Sequence, residues 1–214
     1  MATRALLLDL DRTLVDLQSF TDYAAALADV QALMGDWLPA DVPDTDWDRP
    51  TMACMSVLHS LLGDPRWESM SAAIAVHERA AIPRSVAMPT VLESRARLRE
   101  VPTAVVTLLA PDLVPAVLLA HGIGVGPGKE IDVVVGRASD VRPKPEADGL
   151  LAASAALGVA PEDAVMVGDS SWDAQAAERA GVAFIGVPST PGGLSDVAVT
   201  VPTFADAIEL ALRP

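Results

Sequence analysis

Asp9 and Asp11, in the run Asp9-Leu10-Asp11-Arg12-Thr13, close an apolar stretch, Ala5-Leu6-Leu7-Leu8. Read as a buried strand, that stretch sends both carboxylates out of its carboxyl end on one side, because residues i and i+2 share a strand face. Like charges held together are costly unless a cation offsets them or the pair does chemistry. A second acidic set, Gly168-Asp169-Ser170-Ser171-Trp172-Asp173, follows another apolar run, Ala164 to Val167. Two acidic strand ends in one α/β domain predict a hard-cation site that handles phosphate.

The elements that must position these groups alternate. The pattern predicts strands at 103–107, 131–135, 164–167 and 182–187, with a weak last strand at 197–201. Helices are expected at 90–100, 113–120, 146–157, 172–180 and 204–212, with Gly158 and Gly181 at helix C-caps. Strands alternating with helices imply right-handed crossovers and a mostly parallel sheet covered on both faces. Between residues 16 and 86 no run of strands is expected. Helical spacing covers 18–34, 50–62 and 66–81, and a Pro- and Asp-rich loop spans 36–48. The helical block therefore lies inside the first crossover. The expected division is an α/β core of 1–15 and 87–214 with a helical insert at 16–86.

Ligands of open α/β sheets bind beyond the carboxyl ends of the strands. Thr107 falls at such an end, and Lys144 falls just before the helix expected at 146–157. That lysine is one of only two in the chain, the other being Lys129, and Pro143 and Pro145 flank it. Each group alone has an ordinary structural explanation. A DxDxT run can be a capped turn, and Asp169 with Asp173 can be a helix N-cap and a first-turn carboxylate.

Composition narrows the alternatives. The chain has 214 residues, 51% of them hydrophobic, and a formal charge of −14. So acidic a surface repels nucleic acid and anionic lipid, and neither is expected as a partner. Cys54 is the only cysteine, so no intrachain disulfide or Cys-based zinc site is expected. No transmembrane stretch or secretory pattern is read, and a cytoplasmic protein is expected. The three histidines, His59, His77 and His121, lack metal-ligand spacing. The glycine-rich segment 121–129 fits neither phosphate-loop motif. The aspartate-rich 36–48 loop and Trp172 are read as a solvated loop and a packing residue.

In the order DxDxT, Thr, Lys-Pro, GDxxxD, the motifs resemble the haloacid dehalogenase-like hydrolase superfamily over nearly the whole chain. The helical insert is similar to that superfamily's C1 cap, and the layout resembles phosphatases of the phosphoglycolate phosphatase type. The resemblance implies a Rossmann-like α/β fold and hydrolysis of a small phosphorylated metabolite with Mg2+. It implies that Asp9 is the nucleophile and Asp11 the general acid and base, with a pKa above that of Asp9. Thr107 and Leu108 would hold the phosphoryl group and Lys144 would neutralise it. Asp9, Asp169 and the Asp11 carbonyl would bind the metal, and Asp173 would orient Lys144 or a metal-bound water. Two positions depart from the pattern: Leu108 stands where Asn or Ser is common, and Arg12 replaces a frequent glycine. Asp11 argues against a dehalogenase, and the lack of lysine between 16 and 86 argues against a phosphonatase. A sugar-phosphate mutase and a non-catalytic binding protein remain as alternatives. The sequence leaves the oligomeric state open.

Overall fold

A computed structural model describes residues 5–36, 42, 45–190 and 194–213. Five parallel strands form the main sheet: β1 (Ala5–Leu8), β4 (Thr103–Val106), β5 (Val133–Val135), β6 (Ala164–Gly168) and β7 (Ala183–Gly186). Their order is β5-β4-β1-β6-β7. From β1 the chain steps outward to β4 and β5, then returns to the other side of β1 for β6 and β7. The order thus reverses at β1, and a crevice opens beyond its carboxyl end.

All four residues of β1 are buried, as a central parallel strand covered on both faces requires. Leu6 and Leu8 enter one apolar cluster with α5 (Val114–Ala120) and α8 (Phe204–Ala211). Ala5 and Leu7 enter the opposite cluster with α6 (Asp148–Leu157) and α7 (Ser171–Ala180). The period-two alternation of a strand thus feeds two separate cores. Gly158 and Gly181 end α6 and α7 at φ +71°, as C-cap glycines.

Among the described residues the first crossover holds the α-helices α1 (Tyr23–Met34), α2 (Pro50–Ser60) and α3 (Trp67–Ala81). They share an apolar cluster of their own that includes Val30, Val57, Trp67 and Ile74, with Cys54 buried and unpaired in it. The two chain segments that enter and leave this block pair as a short antiparallel ribbon, β2 (Val15–Asp16) with β3 (Val86–Ala87).

Several expected boundaries shift. The helix expected at 90–100 is a four-residue α4 (Val91–Ser94) followed by 3-10 turns through Arg99. Residues 18–20 form a separate 3-10 turn, and α1 starts after Asp22, whose carboxylate caps it at the Ala25 N–H. The strand expected from 131 starts at Val133. The strand expected at 197–201 is only a bridge of Thr200 to Gly186, too short to extend the sheet. Most of the 36–48 loop, at 37–41 and 43–44, lies outside the described residues. Among the described residues no helix is long and apolar enough to cross a membrane.

Candidate active site

The β1 ladder carries one residue past the strand: the Asp9 N–H donates to Val167 O at 2.9 Å, which fixes where the Asp9 side chain leaves the sheet. Both of its carboxylate oxygens have partners. Lys144 Nζ donates to Oδ1 at 2.6 Å and the Thr13 hydroxyl to Oδ2 at 3.1 Å. Lys144 is buried and spends its three donors on Asp9, on Asp173 Oδ1 at 2.6 Å and on Val106 O at 3.1 Å. Asp173 Oδ2 in turn accepts from the Ser170 N–H at 3.1 Å and from its hydroxyl. Ser170 and Asp173 form a capping box on α7, so the N-cap is Ser170 and not Asp169, and the carboxylate of the first turn also holds the Lys144 ammonium.

Asp11 behaves differently from the expectation. The chain turns after Leu10, with Arg12 in the left-handed region at φ +62° and the Leu14 and Val15 N–H groups returning to Leu10 O. The strand rule therefore does not reach Asp11, and Asp9 and Asp11 are not held together as a charge pair. Asp11 Oδ1 accepts instead from the Leu17 and Gln18 N–H groups, each at 3.0 Å. Burial still raises its carboxyl to about 7, against the pull of those two donors. Burial also pushes Asp9 upward, opposed by the Lys144 ammonium, while the carboxylates of Asp173 and Asp169 add to the rise. Burial thus raises both carboxyls, Asp9 with a cation beside it and Asp11 with two backbone donors. Burial would depress Lys144, but the charges of Asp173 and Asp9 outweigh it and raise the ammonium's pKa.

Asp169 follows β6, and its Oδ2 accepts from the Ser189 hydroxyl at 2.6 Å. Burial raises its carboxyl, against that hydrogen bond. One carboxylate oxygen each from Asp9, Asp169 and Asp173 lies within 4.8 Å of the others. An all-oxygen, acidic donor set fits a hard divalent cation. All three carboxylates already hold protein partners, Asp9 on Lys144 and Thr13, Asp169 on Ser189 and Asp173 on Lys144 and Ser170. Thr107 is buried beyond β4, its N–H on Val135 O at 2.9 Å, and its Oγ1 accepts from the Leu109 N–H at 3.2 Å. Among the described residues the Thr107 hydroxyl proton has no acceptor.

These groups line a cleft of about 630 Å3 that also takes in Leu108, Tyr23, Arg49, Met52 and Met55, and Trp172. Trp172, expected only to pack, is half-buried on the cleft wall. The expected site residues Asp9, Asp11, Thr107, Leu108, Lys144, Asp169 and Asp173 all border this one cleft. Sequence reasoning missed Ser189, Tyr23, Met52 and Met55. Only the DxDxT pattern hinted at Thr13.

A parallel α/β sheet of Rossmann-like fold thus gathers acidic groups from the ends of β1 and β6, a buried lysine and a threonine around one cleft. The match to a family model is more specific. Residues 3–181 match the haloacid dehalogenase-like hydrolase family, and the chain belongs to it. Among solved structures it is similar to CbbY from Rhodobacter sphaeroides in complex with phosphate, at 22% identity and TM-score 0.69, covering 95% of this chain and 96% of that one. It is also similar to a protein of Lactobacillus plantarum provisionally named a phosphoglycolate phosphatase, at 20% identity and TM-score 0.67, covering 98% and 100%. A hydrolase of subfamily IA from Geobacter sulfurreducens aligns at 23% identity and TM-score 0.58, covering 98% and 96%. No curated protein matches the chain.

Proposed function

We propose that the protein is a Mg2+-dependent phosphatase that hydrolyses a small phosphate monoester through an aspartyl-phosphate on Asp9. The observation that carries this reading is the seating of Asp9. It stands at the cleft floor between the Lys144 ammonium and the Thr13 hydroxyl, with the Asp169 carboxylate alongside.

Asp9 attacks phosphorus and the ester oxygen leaves on the opposite side. Asp11, whose raised pKa keeps it partly protonated near neutrality, gives that oxygen its proton. It then takes a proton from the water that hydrolyses the aspartyl-phosphate. Lys144 and the Thr107 hydroxyl meet the charge on the phosphoryl oxygens, with the Leu108 N–H as a third donor. Asp173 keeps the Lys144 ammonium aimed at Asp9. Asp9, Asp169 and the Asp11 carbonyl would hold the magnesium, which offsets the crowded carboxylates and polarises the phosphoryl group.

In this reading residues 16–86 form a cap over the core of 1–15 and 87–214, moving at the β2–β3 ribbon. A cap that walls the cleft admits a metabolite and excludes a phosphoprotein. Arg49, at the start of α2, gives the leaving-group side a cation, which supports an acidic ester such as phosphoglycolate. CbbY, an aspartate-to-asparagine mutant of which was crystallised with xylulose-(1,5)-bisphosphate, supports a sugar phosphate as a second ligand class, which a sugar-phosphate mutase on the same scaffold would share. The test is phosphate release from a panel of small esters, with magnesium or with chelator. Magnesium-dependent release names the substrate class. No release from any ester, with bound magnesium, overturns the reading in favour of a sugar-phosphate mutase or a binding protein.

A further inference from the structure

We infer that Arg137 and Leu108 are positioning residues that tie the seating of the helical insert to the shape of the phosphate-binding loop; the inference rests on the phosphatase reading above. Arg137 follows β5, and its side chain is 3% exposed. Its backbone N–H donates to Leu109 O at 3.1 Å. Its guanidinium reaches past the same loop, where Nη1 donates to Leu108 O at 3.1 Å and to Glu78 Oε1 at 2.6 Å. Nε donates to Ser71 Oγ and Nη2 to Ser71 O, each at 2.9 Å. Ser71 and Glu78 are two helical turns apart on α3 and share a face. One residue of the sheet domain thus holds two consecutive carbonyls of the loop after β4 and one face of the insert.

The loop is engaged from its other side as well. The Leu108 side chain packs against the insert's apolar cluster, which gives the departure from Asn or Ser a physical role. Gly136 lets the chain after β5 come close, since a Cβ there would stand 2.7 Å from Leu109 O. The Tyr23 hydroxyl donates to the same Glu78 oxygen at 3.4 Å, so the network reaches the cleft wall. Among the described residues the Leu108 N–H has no hydrogen-bond partner, which leaves it for a ligand. Lifting the insert parts Arg137 from Glu78 and Ser71 and pulls Leu108 out of its apolar contacts. A buried ion pair is costly to break because each partner is left uncompensated. The seated insert is therefore the state in which the loop is fixed to receive phosphate.

The test compares wild type with Glu78→Gln, Arg137→Lys and Arg137→Met. Hydrogen exchange of the intact protein and turnover of p-nitrophenyl phosphate are both measured. Glu78→Gln is expected to speed exchange at residues 107–110 by about fivefold, although the substitution sits on α3, with β1 and β6 unchanged. Turnover should fall about 10- to 100-fold in Arg137→Met, mostly in kcat, and Arg137→Lys should recover part of it. Unchanged exchange at 107–110 in every variant overturns the inference, and so does a lowered melting temperature with kcat preserved. If wild type hydrolyses no ester, the phosphatase reading fails on that result alone, and the exchange data still decide whether insert and loop are coupled.

Discussion

Lys144 Nζ lies 2.6 Å from Asp9 Oδ1, joining two residues 135 positions apart in the chain. The same ammonium is 2.6 Å from Asp173. One buried cation thus neutralises the carboxylate that would attack phosphorus and is itself held by a carboxylate that caps α7.

Asp9→Asn is expected to remove turnover, to below about 10⁻³ of wild type, because an amide cannot attack phosphorus. Asp173 still pairs Lys144 in that variant, so the fold should survive. Turnover within tenfold of wild type, with circular dichroism unchanged, would remove Asp9 from the nucleophile role.

Asp11→Asn should separate substrates by leaving group. Loss of a general acid costs roughly 10²- to 10⁴-fold where the leaving oxygen needs a proton. An alkyl phosphate should therefore lose far more than p-nitrophenyl phosphate, whose phenolate leaves unaided. Equal losses on both esters would argue that Asp11 acts only in dephosphorylation or in structure.

The raised carboxyl of Asp11 also sets a pH dependence of stability. Its folded value of about 7 lies above the ordinary 3.8, so the folded protein binds the proton more tightly. The resulting stabilisation is fully present below about pH 4 and is lost as pH rises through about 7. Denaturant midpoints with chelator present should fall over that window in wild type, and the fall should be smaller in Asp11→Asn. Parallel pH curves would show that Asp11 titrates as an ordinary carboxylate.

Ser189→Ala removes the hydrogen bond that orients Asp169 and leaves every carboxylate in place. The expected outcome is a 10- to 100-fold higher magnesium requirement, roughly the cost of losing such an orienting partner, with kcat at saturating metal little changed. Magnesium titration of activity checks it, and an unchanged midpoint would mean that Asp169 does not bind the metal.

Gly168→Ala tests the packing beneath the lysine. A Cβ at 168 would stand 2.6 Å from Asp173 Cβ and Cγ, so Asp173 must shift and Lys144 loses its guide. Overpacking of this kind costs about 1–3 kcal/mol. Stability and turnover should both fall, and a crystal structure of the variant should show Asp173 displaced. Wild-type turnover would show that Lys144 needs no positioning by Asp173.

The order of the elements was legible because the buried strands are continuous apolar runs and glycines mark the ends of α6 and α7. The edges of the sheet were less legible. Residues 197–201 have strand composition but make one bridge, because pairing depends on a neighbour and composition does not record it. Residues 90–100 have helical spacing but tighten into 3-10 turns after Ser94.

The chain itself determined which residues reach the cleft. Asp9, Thr107 and Asp169 follow strand ends, Asp173 lies in the first turn of α7 and Lys144 in the loop before α6, and a parallel sheet brings such positions together. Only the tertiary structure decided their partners. Asp11 turns away to the Leu17 and Gln18 N–H groups because β1 stops at Leu8. Arg137 finds Glu78 across 59 positions, and no periodicity encodes that pair. Local backbone preference acts over a few residues, whereas charge pairing and close packing act through space, so they exist only once the chain is folded.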